Sequence, residues 1–154
     1  MAIVDAASYA VHLLFGGLWT GSVLFTTYAV LPTAAEGNLN AAPLSAVAGK
    51  LQTVSRVSAL VLLATGAHLG VVRYTVGSLT GSLSGYLVIA MILLWLALAG
   101  LVEVGTARLT DGTERDKVRE PAARARPLLL GASLIAALLL ANSGLLVARS
   151  VGLL

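Results

Sequence analysis

Apolar residues in this chain come in long unbroken runs, not in the short alternating patches of a water-soluble fold. Asp, Glu, Lys and Arg are missing from 57–72, 74–102 and 127–148, and the first 35 residues carry only Asp5. A bilayer core of about 30 Å takes about 20 apolar residues in a helix, which each of these regions can supply. The pattern predicts four transmembrane helices at about 6–31, 44–74, 85–107 and 127–149. Pro32, followed by Glu36, Gly37 and Asn38, is expected to mark the exit of the first helix. Pro43 lies near the start of the second, where its missing N–H costs nothing, and Pro127 is expected to open the fourth. The connection 75–84 is uncharged and rich in Gly and Ser, whereas 108–126 is strongly polar and is expected to form a loop with a short surface helix. The expected fold class is an all-α integral membrane four-helix bundle, a single domain over 1–154. No Lys or Arg precedes the first apolar run, so it reads as a retained helix and not as a cleaved signal.

Composition sharpens this picture. Of the 154 residues 58% are hydrophobic and 11% charged, against about 25% charged in a typical soluble domain. The basic residues are distributed unevenly. Lys50, Arg56, Arg108, Arg115, Lys117, Arg119, Arg124 and Arg126 fall on the side of the first and third loops, and only Arg73 and Arg149 on the other. The positive-inside rule then predicts cytoplasmic loops one and three, with both termini outside. This asymmetry accounts for the net charge of +3, and no nucleic-acid partner is expected. Cysteine is absent, which excludes disulfides, thiolate metal sites and a cysteine nucleophile.

Small residues recur inside the helices, among them Gly16, Gly17, Gly21, Gly66, Gly100 and Gly131. They allow close backbone approach, or room for a flat cofactor. Glu103 is expected to face the bundle or a polar cavity, with Arg56 at a similar level, because a carboxylate in lipid costs several kcal/mol, of order 3. Asn142 needs a partner across the bundle. Trp19 and Trp95 fall well inside their helices, where core packing and packing against a cofactor are both open.

The two histidines are the chain's strongest chemical signal. His12 lies early in the first helix, and His68 lies shortly before Arg73 at the end of the second. Antiparallel neighbours would place both near one membrane face, each roughly 7 to 10 Å below its helix end at 1.5 Å per residue. Two imidazoles facing one another could hold a haem b iron with the porphyrin standing between the two helices. Gly16 lies one turn from His12 and Trp19 continues that stripe. Thr65, near His68, is a candidate acceptor for the second imidazole N–H, and Arg73 is a candidate partner for haem propionates. Met91, in the third helix, is a further soft ligand at comparable depth, for iron or for copper. The alternative is that both histidines are interhelical hydrogen-bonding groups without a metal. No phosphate loop, dinucleotide fingerprint, zinc-protease helix or hydrolase triad occurs, so no catalysed reaction is assigned.

The first helix, with His12-Leu13-Leu14-Phe15-Gly16-Gly17-Leu18-Trp19-Thr20-Gly21, resembles the opening helix of the CopD-like membrane families and, more distantly, of the HemJ-type haem proteins. The motif occupies about ten residues; the architectural likeness extends over most of the chain. The resemblance implies His12 as the characteristic first-helix histidine and His68 as a second metal ligand. It further implies copper transport or haem-dependent redox work in the membrane. Two departures matter. With Met1 and Met91 its only methionines, the chain is thinly provided for Cu(I) transfer, and no lysine of the HemJ type is evident in the third helix. The expected partners are the lipid bilayer, a membrane quinone or an extracytoplasmic electron-transfer protein. A homo-oligomer or a larger membrane complex, with this chain as accessory subunit, is the structural alternative.

Overall fold

The computed structural model describes residues 2–153. Its order is α1 (Ala2–Phe25), a π-helical turn (Thr26–Val30), α2 (Leu31–Ala35), α3 (Ala41–Arg73), α4 (Val76–Gly81), α5 (Leu83–Thr113) and α6 (Arg119–Ser150). Four helical segments are long and apolar enough to cross a bilayer: Ile3–Ala35, Ala41–Arg73, Leu83–Thr113 and Arg119–Ser150. The chain runs up and down. α1 packs on α3, α3 on α5, α5 on α6, and α6 returns to α1. This is the expected all-α four-helix bundle.

The helices run further than the proline positions suggested. Pro32 does not end the first span. The preceding turn widens, so that the Leu31 N–H reaches back to the Thr26 carbonyl, and the helix continues through Pro32 to Ala35. Such π adjustments let a membrane helix absorb a proline that offers no N–H of its own. Pro127 likewise sits inside α6, which begins at Arg119. The expected loop 108–126 is therefore a tight hairpin, because α5 persists to Thr113. The Gly- and Ser-rich connection 75–84 contains α4, capped by the Thr75 side chain on the Ser78 N–H.

Hydroxyl groups are absorbed locally. Thr20, Ser22, Thr26 and Thr106 each donate to the carbonyl four residues back, which removes an unsatisfied donor from lipid. Thr27 bonds Val23 in the same way, and its hydroxyl also lies 3.2 Å from the Leu129 carbonyl of α6.

Packing is concentrated at one end. At the end bearing the first and third loops, Ala34, Ala48, Ala122 and Ala125 are buried with Leu44 and Leu109; we call it the packed end. Alanine lets backbones approach closely where no hydrophobic effect drives helices together. Arg119 ties this end by donating from Nη2 to the Glu36 carbonyl at 3.1 Å. At the opposite end no described residue in 3–18, 63–73 or 86–97 is buried, so these apolar side chains are left for lipid. We call this the histidine end.

The glycines of the first helix stand apart from those at the α5–α6 contact. Gly105 receives Leu129 and Gly131 approaches Leu101, whereas a side-chain carbon at Gly16, Gly17, Gly21 or Gly100 would meet nothing within 4 Å. The first-helix glycines thus do not serve contacts within this bundle.

Candidate functional site

His12 and His68 both lie on the seam between α1 and α3, and each already bonds across it. His12 Nδ1 is 2.8 Å from Thr65 Oγ1. The Thr65 hydroxyl donates its own hydrogen to the Val61 carbonyl at 2.7 Å, so it accepts from His12. This assigns the Nδ1–H tautomer and leaves the Nε2 lone pair free. His68 Nε2 lies 2.9 Å from Asp5 Oδ1. A neutral His68 donates there and keeps a bare Nδ1.

Antiparallel packing explains both pairs. As α1 advances, its partner on α3 recedes, so His12 meets the turn holding Thr65 and the earlier Asp5 meets the later His68. Asp5 was missed as a site residue, although it is the one charge of the first apolar run. A carboxylate near the head of such a helix needs a partner, and the histidine at the far end of the neighbouring helix supplies it. Thr65 fixes His12, where the same-helix spacing had suggested His68. The two imidazoles are staggered, His68 lying three residues beyond Thr65 on one helical face, about 4.5 Å further along the axis.

The seam is closed at His12. A side-chain carbon at Gly66 would fall 3.1 Å from His12 Cε1, so the ring rests directly on the α3 backbone. The geometry expected from the sequence, a porphyrin standing between these two helices, has no gap there. A side chain at Gly66 would make the His12 ring give way by a few tenths of an ångström.

The remaining predicted residues disperse. Arg73 lies over the Tyr9 ring, 5.7 Å from its centroid, an arrangement that holds the guanidinium at the membrane face. Trp19 is 1% exposed and belongs to the core beside Val23 and Leu98; its Nε1, like that of Trp95, has no hydrogen-bond partner. Gly16 faces open space, and its carbonyl accepts from Thr20 at 2.8 Å. Met91 is half-buried on α5. It lies about three turns from Glu103, whose partners Gln52 and Arg56 lie about three turns from the Thr65 level of α3. Met91 is therefore at the height of His12, on a helix that borders α3. Among the described residues, no three His, Asp or Glu side chains converge on one point as a metal site.

Two other polar groups found the partners they were expected to need. Glu103 forms an ion pair with Arg56, whose Nε lies 3.2 Å from Oε2, and accepts from Gln52 Nε2 at 2.9 Å. Asn142 Nδ2 donates to the Leu87 carbonyl of α5 at 2.9 Å.

Together the four spans define a multi-pass integral membrane protein of the cell membrane. Compared with protein-family models, curated proteins and solved structures, the chain has no significant match.

Proposed function

We propose that the histidine end is a haem b-binding site for one-electron transfer, with His12 and His68 as the iron ligands. One observation carries this reading. Each imidazole is oriented through one nitrogen, by Thr65 or by Asp5, so that in the neutral ring the other nitrogen offers a lone pair. Histidines that bind metals are held through the second ring nitrogen, as on a carboxylate, and the Asp5–His68 pair has this form. Haem would supply a reversible iron couple; the protein would supply ligand orientation and an apolar surround. Because His12 rests on Gly66 in the ligand-free form, the reading requires α1 and α3 to part at that level on binding. By the positive-inside rule both termini lie outside, which puts the site at the outer face, within reach of an extracytoplasmic donor or a membrane quinone.

A second reading has its own support. The same two hydrogen bonds close the seam without any ligand, as in an accessory subunit whose polar clamps fix helix register. Copper is the alternative metal, although among the described residues no third His, Asp or Glu joins His12 and His68 in one cluster.

The deciding measurement is an absorption spectrum of the purified full chain titrated with haemin, before and after dithionite. Under the haem reading, binding saturates at one per chain with sharp reduced Soret and alpha bands, and His12→Ala or His68→Ala abolishes the low-spin spectrum. Unchanged spectra in the double variant would defeat the ligation. An absence of stoichiometric binding would leave the structural clamp.

A further inference from the structure

A second site lies at the other end of the bundle, in the hairpin joining α5 to α6. Here a cleft of about 220 Å³ is lined by Arg108, Arg115, Lys117 and Arg124, with Asp111 and Glu120. Four cations against two carboxylates leave two positive charges in excess. The volume is below the roughly 300 Å³ at which pockets for drug-sized ligands begin. It still has room for several water molecules at about 30 Å³ each, which suits a compact anion.

The fold builds the cleft. Gly112 faces Pro121 so closely that no side chain would fit between them, and this brings the end of α5 against the start of α6. The turn is completed by Asp116 with φ +54°, and the cations from both helices and from the turn then converge. Within the cleft Glu120 holds Lys117 Nζ at 2.8 Å and Arg124 Nη2 at 2.6 Å. Arg108 donates from Nη1 to the Arg124 carbonyl at 3.3 Å, which leaves most of its guanidinium donors free. Arg115 has no ion-pair or hydrogen-bond partner among the described side chains. Glu120 therefore engages two of the four cations, and Arg108 and Arg115 form no ion pair among the described residues.

Height supplies the second argument. The apolar run of α5 ends at Glu103, and Arg108 lies five residues beyond, about 7.5 Å along the axis. The headgroup layer adds about 5 to 8 Å on each side of the hydrocarbon. Arg108, with Arg124 bonded beside it, thus lies at the level of lipid phosphates, and Arg115 and Lys117 reach the water side of that layer.

We propose that this hairpin cleft is a phosphate-binding site, with Arg108 and Arg115 as principal donors and Glu120 as an internal competitor for the other two cations. Guanidinium groups present paired donors to phosphate oxygens, and basic pockets between membrane helices are suited to anionic headgroups. The ligand chemistry is common to a lipid headgroup and to a soluble phosphate. The site does not depend on the histidine end.

The test uses the full chain in neutral detergent, with retention of phosphatidylglycerol and of phosphatidylcholine measured by native mass spectrometry and inorganic phosphate titrated by calorimetry. Phosphatidylglycerol should be retained at least fivefold over phosphatidylcholine. Arg108→Gln with Arg115→Gln should bring that preference close to unity, each cation contributing about fivefold, and Glu120→Gln should raise it. A control pair on the same face, Lys50→Gln with Arg126→Gln, should change it less than twofold. If inorganic phosphate binds with the same dependence on these variants but no lipid preference is seen, the site stands with a soluble ligand. Equal losses in the control pair, or no binding of either probe, would overturn the proposal. Glu120→Gln keeps it falsifiable if the arginine variants fold poorly, because a gain in binding cannot come from misfolding.

Discussion

At the packed end Leu109, Leu129 and Ala125 are fully buried, and three of the four spans contribute buried alanines. At the histidine end Leu14 and Leu63 face outward, and the helices are joined by polar pairs: His12 with Thr65, Asp5 with His68, Asn142 with Leu87, and Arg149 with Ser84. The contrast follows from lipid as solvent. Apolar side chains gain nothing by leaving lipid for the bundle, so helices associate either where shapes interlock or where polar groups have nowhere else to go. One end uses the first means and the other the second. Only the second leaves polar side chains, rather than interlocked apolar ones, as the contact between helices.

Removing shape complementarity at one end gives the largest expected effect. Leu109→Ala should cost about 2 to 4 kcal/mol, since a buried leucine leaves a cavity its neighbours cannot fill. Leu14→Ala, at the other end, should cost less than about 0.5 kcal/mol, in the range of substitutions away from any packed feature. Both are read from reversible unfolding in mixed micelles. Equal losses would mean that the histidine end is covered by something other than lipid.

Polar clamping is tested next. Asp5→Asn should destabilise by about 1 to 1.7 kcal/mol and Thr65→Val by about 0.6 kcal/mol, spanning the measured range for hydrogen bonds between membrane helices. Asp5→Asn is placed higher because its acceptor is a carboxylate. Cross-linking efficiency between α1 and α3 at the histidine end should fall in both variants and stay unchanged at the packed end. A uniform fall along the seam would show that the two ends are one cooperative unit.

The spans were legible because charge is excluded from lipid: the runs without Asp, Glu, Lys or Arg at 57–72 and 127–148 lie inside α3 and α6, and the run 74–102 covers α4 and most of α5. Their ends were less legible. Pro32 and Pro127 were expected at boundaries on the logic of soluble helices, but a π turn or a packed neighbour can carry a membrane helix past a proline. For the candidate site, the sequence singled out His12, His68 and Thr65 but paired Thr65 with the wrong histidine. Spacing along one helix describes a face, whereas these contacts are set by the antiparallel offset between two helices. Asp5 stood out only as a lone charge, and its partner depends on that same offset.

The smallest expected effect lies where the two ends meet. Ser58 is 0% exposed, yet its hydroxyl has no hydrogen-bond partner, unlike the threonines that bond back along their own helices. Ser58 sits on α3 between the buried Ser55 and Leu62, at the height of Trp19 on α1, whose indole N–H is also without a partner. A buried polar group left alone costs about 1 kcal/mol or more, and replacing it with an apolar group of similar shape recovers part of that cost. Ser58→Ala should therefore stabilise the bundle by about 0.3 kcal/mol, the part of that cost which is recovered. Destabilisation by Ser58→Ala would instead place an ordered water between serine and indole. The boundary between the shape-packed and the polar-clamped halves would then be a hydrated layer inside the membrane, and the histidine end would connect to it.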